Sequence, residues 1–231
     1  MKILLGTILA LLCSGHALGQ KCDVDSGFRG ERFSIYYEQR HLVKIFRSLN
    51  ELPPNVRARL EAYLQGKLGR EFAKRLKFDE GQWLDLQRLR REFPALYEQN
   101  LRLGAYDLLF RFSDSAKGLN AFYTKLALND DGSINEEIKL PNIGQNPSKA
   151  KIISCKEAYS IAVAQGFPKN HISAEFEYSK DEESFVWIVR DSTGTEPDEP
   201  FLPKGKGTYK KIDINANTGV VVRVYKETIF L

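Results

Sequence analysis

The sequence is short of the residues that most catalytic and metal-binding chemistry needs. Histidine and cysteine each occur three times in 231 residues. Outside the N-terminal segment only His41, His171, Cys22 and Cys155 remain, and neither histidine sits at ligand spacing to a cysteine, which argues against a metal site. No H-E-x-x-H or G-x-S-x-G motif occurs, so the commonest metalloprotease and hydrolase signatures are missing. Past residue 19 no apolar run approaches 18 residues, the length that reads as a membrane-spanning helix. The formal net charge of +4 is too small to imply a nucleic-acid partner. What remains is an ordinary globular composition, 42% hydrophobic and 28% charged, able to bury a core in one or two domains.

The first residues are a different matter. Met1-Lys2 carries one positive charge, Ile3 to Leu12 is apolar, and small and polar residues lead to Ala17-Leu18-Gly19. That is the layout of a cleavable secretory signal, with cleavage expected near Gly19. The apolar run is too short to cross a hydrocarbon layer of about 30 Å as a helix. A lipoprotein signal is disfavoured because Leu12 precedes Cys13 and Lys21 precedes Cys22. The chain is therefore expected in the periplasm or outside the cell. Cys13 leaves with the signal, and Cys22 and Cys155 form an even pair in an oxidising compartment. They are expected to form a disulfide. The alternative is two free thiols.

Residues 34–103 read as helical. After Pro53-Pro54, the positions Val56, Leu60, Tyr63, Leu64, Leu68, Phe72 and Leu76 make one stripe at spacings of three and four. Gly66 and Gly69 weaken that helix by roughly 1 kcal/mol each. A second stripe runs Trp83, Leu86, Leu89 and Phe93 before Pro94, and an earlier one runs Tyr36, Leu42, Ile45 and Leu49. The period then changes to two. Tyr106, Leu108, Phe110 and Phe112 alternate with their neighbours, as do Phe122, Thr124, Leu126 and Leu128, and then Ile134, Glu136, Ile138 and Leu140. With Asn129-Asp130-Asp131-Gly132 between the last two runs, residues 105–140 predict a small antiparallel meander. Residues 141–152 have linker composition, with Pro141, Gly144 and Pro147.

A second α+β unit follows. Ser154-x-x-Glu157 is a capping box, and Gly166 fits the end of that helix. Strands are predicted around Ile172–Tyr178, Phe185–Val189, Tyr209–Ile214 and Val220–Tyr225, with a loop rich in Pro, Gly and charge at 192–207. The expected domains are 20–145 and 146–231.

Residues of about 153–231 resemble the PepSY domain. The matching features are Ser154, Glu157-Ala158, Ala162 and Gly166, the strand Val186-Trp187-Ile188-Val189, and the terminal phrase from Ile212-Asp213-Ile214 to Thr218-Gly219-Val220-Val221. The resemblance implies a PepSY/cystatin-like sheet on one helix. It also implies an exported, non-enzymatic binding or inhibitory module of the bacterial cell envelope, with a protein partner of the peptidase class. It supplies no catalytic residue. The same tail is also similar to immunity proteins of a nuclear-transport-factor-like fold, through Trp187, Leu202-Pro203, Gly205, Gly207 and Ile212-Asp213. That likeness implies neutralisation of a toxin, usually in the cytosol, which the signal segment argues against. Residues 20–150 resemble no family.

Other features are read as structural. Asp130-Asp131-Gly132 and Asp213-x-Asn215-x-Asn217 miss the calcium-loop spacing and read as hairpin turns. Gly205-Lys206-Gly207-Thr208 lacks the phosphate-loop frame. Cys155 with His171 as a thiol–base pair is a weaker account than the disulfide. Residues 57–91 hold ten Lys or Arg against five Asp or Glu, and residues 151–200 the reverse. The basic stretch reads as the solvated side of amphipathic helices rather than a face for an anionic ligand. Phe176, Tyr178, Phe185, Trp187 and Tyr209 are expected on one sheet face, mostly as core. Trp187, Tyr209 and Phe185 are the candidate partner-binding residues. No catalytic, cofactor or metal residue is assigned, and an enzyme of unrecognised type stands as a further alternative.

Overall fold

The computed structural model describes residues 22, 24–27, 37–99, 104–191 and 206–230. The signal segment, its cleavage site, Tyr36 and residues 192–205 of the predicted loop lie outside them.

The fold is α+β. In chain order it runs β1 (Val24–Gly27), a 3-10 turn, β2 (Val43–Phe46), α1 (Pro54–Ala73) and β3 (Lys77–Leu84). Next come α2 (Leu86–Glu92), α3 (Pro94–Gln99), β4 (Tyr106–Asp114), β5 (Leu119–Leu128) and β6 (Ile134–Glu136). The last part is α4 (Cys155–Ala164), β7 (Ile172–Ser179), β8 (Ser184–Asp191), β9 (Lys206–Asn215) and β10 (Val221–Phe230). No described helix is long and apolar enough to cross a membrane.

Helix α1 follows its stripe: Val56, Leu60, Leu64, Leu68 and Phe72 are buried, and Pro54 opens the first turn. Its glycines do more than weaken it. Gly69 leaves the helical conformation at φ 70°, and the Gly144 N–H donates to the Lys67 carbonyl at 2.8 Å. A Cβ on Gly144 would lie 2.0 Å from the Gly66 oxygen. The glycines admit the 141–152 connection directly against the helix backbone.

The helical reading of 34–103 is corrected at two places. Val43–Phe46 and Lys77–Leu84 are strands, paired antiparallel with each other. Trp83 and Leu84 end β3, and Asp85 caps α2 by accepting from Arg88 N–H at 2.9 Å. The apparent stripe from Trp83 to Phe93 therefore joins a strand end to a helix. The meander is likewise part of something larger. β4, β5 and β6 pair antiparallel as expected, around a turn with Gly132 at φ 84°. They belong to a six-stranded sheet of order β1-β5-β4-β3-β2, with β6 also on β5. β1 pairs parallel to β5, so this sheet is mixed. The third predicted run stops at Glu136, and Ile138 and Leu140 are buried beyond it.

The C-terminal elements follow the sequence closely. Ser154 Oγ accepts from Glu157 N–H, Glu157 accepts in return from Ser154 N–H, and Gly166 ends the turn at φ 81°. β7 to β10 form a separate antiparallel sheet of order β10-β9-β8-β7. One apolar cluster nevertheless runs through α1, both sheets and α4. The Cys22–Cys155 disulfide, with Cα atoms 5.9 Å apart, ties the entry to β1 to the first residue of α4.

The bridge closes a separation of 133 residues, so its loss releases much chain entropy in the unfolded state. Cys155→Ser is expected to cost about 2–5 kcal/mol in urea unfolding. Reductant should lower the wild type to the variant's stability and leave the variant unmoved. Equal stabilities without reductant would refute the bridge.

Candidate functional site

Cross-strand register divides the C-terminal sheet into two unlike faces. Phe176 pairs with Trp187, Tyr178 with Phe185, and Trp187 with Ile214. These side chains share the face toward α4 and the core. Phe185 and Trp187 are fully buried, and the Trp187 indole N–H donates to the Ile153 carbonyl at 3.1 Å. Four of the five expected aromatics share this face. Tyr209 does not: pleat alternation from Ile212 and Ile214 sends it to the other side, where the Arg190 guanidinium lies 5.5 Å from its ring centre. The three candidate partner-binding residues are therefore not brought together. Two are sealed in the core, and the third sits on the opposite surface.

That opposite surface is the richest cluster of ionisable groups on the sheet. It carries Glu175 and Glu177 from β7, Arg190 from β8, Tyr209, Lys211 and Asp213 from β9, and Arg223, Tyr225 and Glu227 from β10. Val186 and Ile188 form an apolar floor between them, both nearly inaccessible. Arg190 pairs with Glu175 at 2.9 Å, and the buried Lys211 pairs with Glu227. Arg223 pairs with Asp213 at 2.5 Å, and the Tyr225 hydroxyl donates to the same carboxylate at 3.2 Å. Burial together with the Asp213 charge pushes the Tyr225 phenol up to about 12. The salt-bridge hydrogen bond from Lys211 holds the Glu227 carboxyl below its ordinary range.

Glu177 is the exception. The other three carboxylates of the face have cationic partners, whereas Glu177 has neither a hydrogen bond nor an ion pair. Crowding by protein atoms, then the charge of Glu175, raises its pKa, and Lys211 only partly offsets this. Its carboxyl keeps an exposed flank, so the penalty is modest.

Glu177 also lines a cavity of about 230 Å³ where the edge of β7 meets β5 and the end of β1. The walls are Gly27, Phe122, Tyr123, Thr124, Lys125, Lys139, Glu177 and Tyr178. Lys125 is paired with Glu136 at 3.1 Å. Lys139 has no ion pair, and the Thr124 hydroxyl is buried with no hydrogen-bond partner. A second cavity of similar volume, by Lys44, Phe46, Glu51 and Trp83, lies at the approach to α1, where Glu51 already accepts from Arg47 and Ser48 N–H.

The basic stretch 57–91 is spent on structure. Arg59 pairs with Asp131, Lys67 with Glu137 and Arg75 with Asp114, all between α1 or its end and the meander. No group of three or more metal-type ligands exists among the described residues.

Sequence reasoning missed Arg190, Lys211, Arg223, Tyr225 and Glu227. Their alternation with Ile212, Ile214 and Val189 was visible, but which charges face each other is set by the register between strands. The chain matches no family model, no curated protein and no solved structure.

Two outcomes follow. The Lys211 ammonium is buried and its partner is half-exposed. Glu227→Gln should therefore cost about 1–2 kcal/mol by stranding that charge, and Lys211→Met less than half as much. Urea unfolding of both variants distinguishes them, and the reverse order would sink the assignment. Glu177, with its raised pKa, holds its proton more tightly folded than unfolded, so ionising it opposes folding at neutral pH. Glu177→Gln should raise the melting temperature by about 1–2 °C at pH 7. The gain should vanish as pH falls below 4.5, where both states are protonated.

Proposed function

We propose that this chain is an exported, non-enzymatic binding module of the bacterial cell envelope, that its partner is a protein of the peptidase class, and that the partner adds an extended segment to strand β10. The carrying observation is the edge itself. β10 is ten residues long, lies at the end of its sheet and contains no proline. Val220, Val222 and Val224 stand exposed along or beside it, Val220 at 62%. Soluble proteins ordinarily blunt long edges with prolines, short strands, charged side chains, bulges or a covering element, because the unpaired backbone is a template for another strand. β10 carries Arg223, Lys226 and Glu227 and a bulge near Val222, but no described strand pairs with its outer edge, which fits recognition by strand addition, where backbone hydrogen bonds supply affinity and alternate side chains supply selectivity.

Two further features support the reading. The segments that resemble a PepSY domain lie on one helix and a four-stranded antiparallel sheet, a coarse arrangement compatible with that likeness. The ionised face beside the edge offers both signs of charge, which favours orientation of a partner over bulk attraction. The described disulfide and the lack of a membrane-crossing helix among the described residues are compatible with export.

The test is capture from the exported fraction of the source cells. The wild-type protein should retain a peptidase whose activity is suppressed while bound and returns on elution. A Val222→Lys/Val224→Lys variant should retain roughly tenfold less, because lysines on an edge disfavour strand addition, while its melting temperature moves by no more than about 1–2 °C. Equal capture by the variant, or a bound peptidase with undiminished activity, would overturn the proposal. Self-association lost in the same variant would assign the edge to a second copy of this chain instead.

A further inference from the structure

The charges along the outer edge of β10 are arranged so that two copies of it match. Ladder register puts Arg223, Tyr225 and Glu227 on the outer face, opposite Asp213, Lys211 and Tyr209 of β9. Val224 and Lys226 lie on the other face, opposite Ile212 and Lys210. The pairing with β9 is regular from Arg223 to Phe230, beyond the shift at Val222. No described strand takes the backbone groups on the far side of this stretch. Its side chains are open to solvent: Arg223 is 64% exposed, Val224 47% and Glu227 42%.

Two identical strands that close on a two-fold axis pair antiparallel, with the axis perpendicular to the sheet. Outer face then continues into outer face, and each register is named by the residue that meets itself on the axis. Within the run from Arg223 to Glu227 the choices are unequal. An axis at Arg223, Lys226 or Glu227 sets that charge against its own copy, which is destabilising. An axis at Val224 leaves Glu227 opposite Val221. An axis at Tyr225 sets Arg223 opposite Glu227 of the second copy, Glu227 opposite Arg223, and Tyr225 opposite itself. Asp213 already holds the Arg223 Nε, and Lys211 holds Glu227. The joined face therefore alternates in sign: Lys211, Glu227, then Arg223 and Asp213 of the second copy. On the reverse face Val224 meets the aliphatic stem of Lys226 of the second copy.

We propose that β10 pairs antiparallel with β10 of a second copy about a two-fold axis at Tyr225, which joins the two four-stranded sheets into one. This rests on the same open edge as the partner reading and adds its regulation. The edge has one occupant at a time, a second copy at rest and the partner when bound. Self-pairing also shields a backbone that would otherwise template aggregation. Hydrogen bonds and the valines supply affinity, and the charges fix the register.

Sedimentation equilibrium of the purified protein tests the state, and cysteine cross-linking tests the register. The wild type should pass from monomer to dimer as concentration rises. Val224→Lys sets a lysine against Lys226 of the second copy, twice by symmetry, and should weaken the dimer by roughly tenfold. Under mild oxidation Tyr225→Cys should cross-link to itself. Val224→Cys and Lys226→Cys, both at exposed positions, should not cross-link alone, whereas a mixture of the two should. A wild type that is monomeric at every concentration would overturn the proposal. So would self-cross-linking strongest at 224 or 226, which moves the axis. Peptidase capture separates this from the partner reading. A monomer that still retains the peptidase loses the pairing and keeps the partner, and a dimer that retains none does the reverse. Where both hold, the captured protein should be monomeric, and capture of the intact dimer would refute the single occupancy.

Discussion

Six aromatic rings hold the molecule together, and the rest of the architecture is arranged around them. Phe72 reaches from α1 to Phe112 at 5.5 Å, and Phe112 meets Phe122 at 5.3 Å within the mixed sheet. Phe122 and Phe112 then contact Phe176 and Phe185 of the second sheet, and Phe176 stacks edge-on to Trp187 at 4.7 Å. Each such pair contributes about 0.5–1.5 kcal/mol beyond the area it buries. The cluster is also where elements from widely separated parts of the sequence meet. The Cys22–Cys155 bridge lies at its margin and fixes the entry to β1 against the start of α4.

This commitment of one sheet face decides what the other can do. A strand presents alternate residues to opposite sides, so each residue placed in the cluster sets its neighbours on the outer surface: charged ones beside Phe176 and Ile212, and the apolar Val186 and Ile188 beside Trp187. Phe176 lies between Glu175 and Glu177, and Ile212 between Lys211 and Asp213. The outer face is therefore a band of charges over the Val186–Ile188 floor. Its ions are then matched across strands, Arg190 to Glu175, Lys211 to Glu227 and Arg223 to Asp213. The half-exposed Arg190–Glu175 pair contributes little to stability, whereas Lys211 and Asp213 are buried and their partners keep those charges from being stranded. Function has the edges and the seams left to it, because the faces are occupied.

The sequence was readable wherever a signal is local. The capping box at Ser154 and Glu157, the turn at Gly132 and the alternation from Tyr106 to Leu128 each occupy a short window, and each was placed correctly. The disulfide follows from counting the cysteines left by an expected export signal, and Cys22 and Cys155 are bonded. β3 failed because its register shifts between Phe78 and Glu80, which breaks the period of two. Its last residues, Trp83 and Leu84, also run straight into a helix whose apolar positions continue a spacing of three. β1 was illegible because four residues pairing parallel with a strand nearly a hundred positions later leave no trace in sequence. Tyr209 is expected on the core face for its aromatic type alone, whereas the period of two within β9 counts it with Lys211 and Asp213, opposite Ile212 and Ile214. The ionised surface and the cavity were hidden together, since both are made by strands meeting rather than by any one strand.

The seam between the two sheets shows how such a site arises. Two sheets gripping one aromatic core cannot remain in contact along their whole edges, because each twists. Where β7 departs from β5, a gap must open, and packing ordinarily closes it with a larger side chain. Here the lining does the reverse. Gly27 has φ 87°, and a Cβ there would lie 2.0 Å from the Tyr123 carbonyl oxygen, so β1 is held too close to β5 for any side chain. Thr124 occupies a core-facing position between Phe122 and Leu126, where a valine of the same shape would avoid an unsatisfied hydroxyl. Glu177 occupies a position at which its charge opposes folding. The space at this seam is thus kept by backbone closeness at Gly27, while the charged side chains at its rim, Glu177 and Lys139, stand exposed to solvent and the Thr124 hydroxyl is turned into the core.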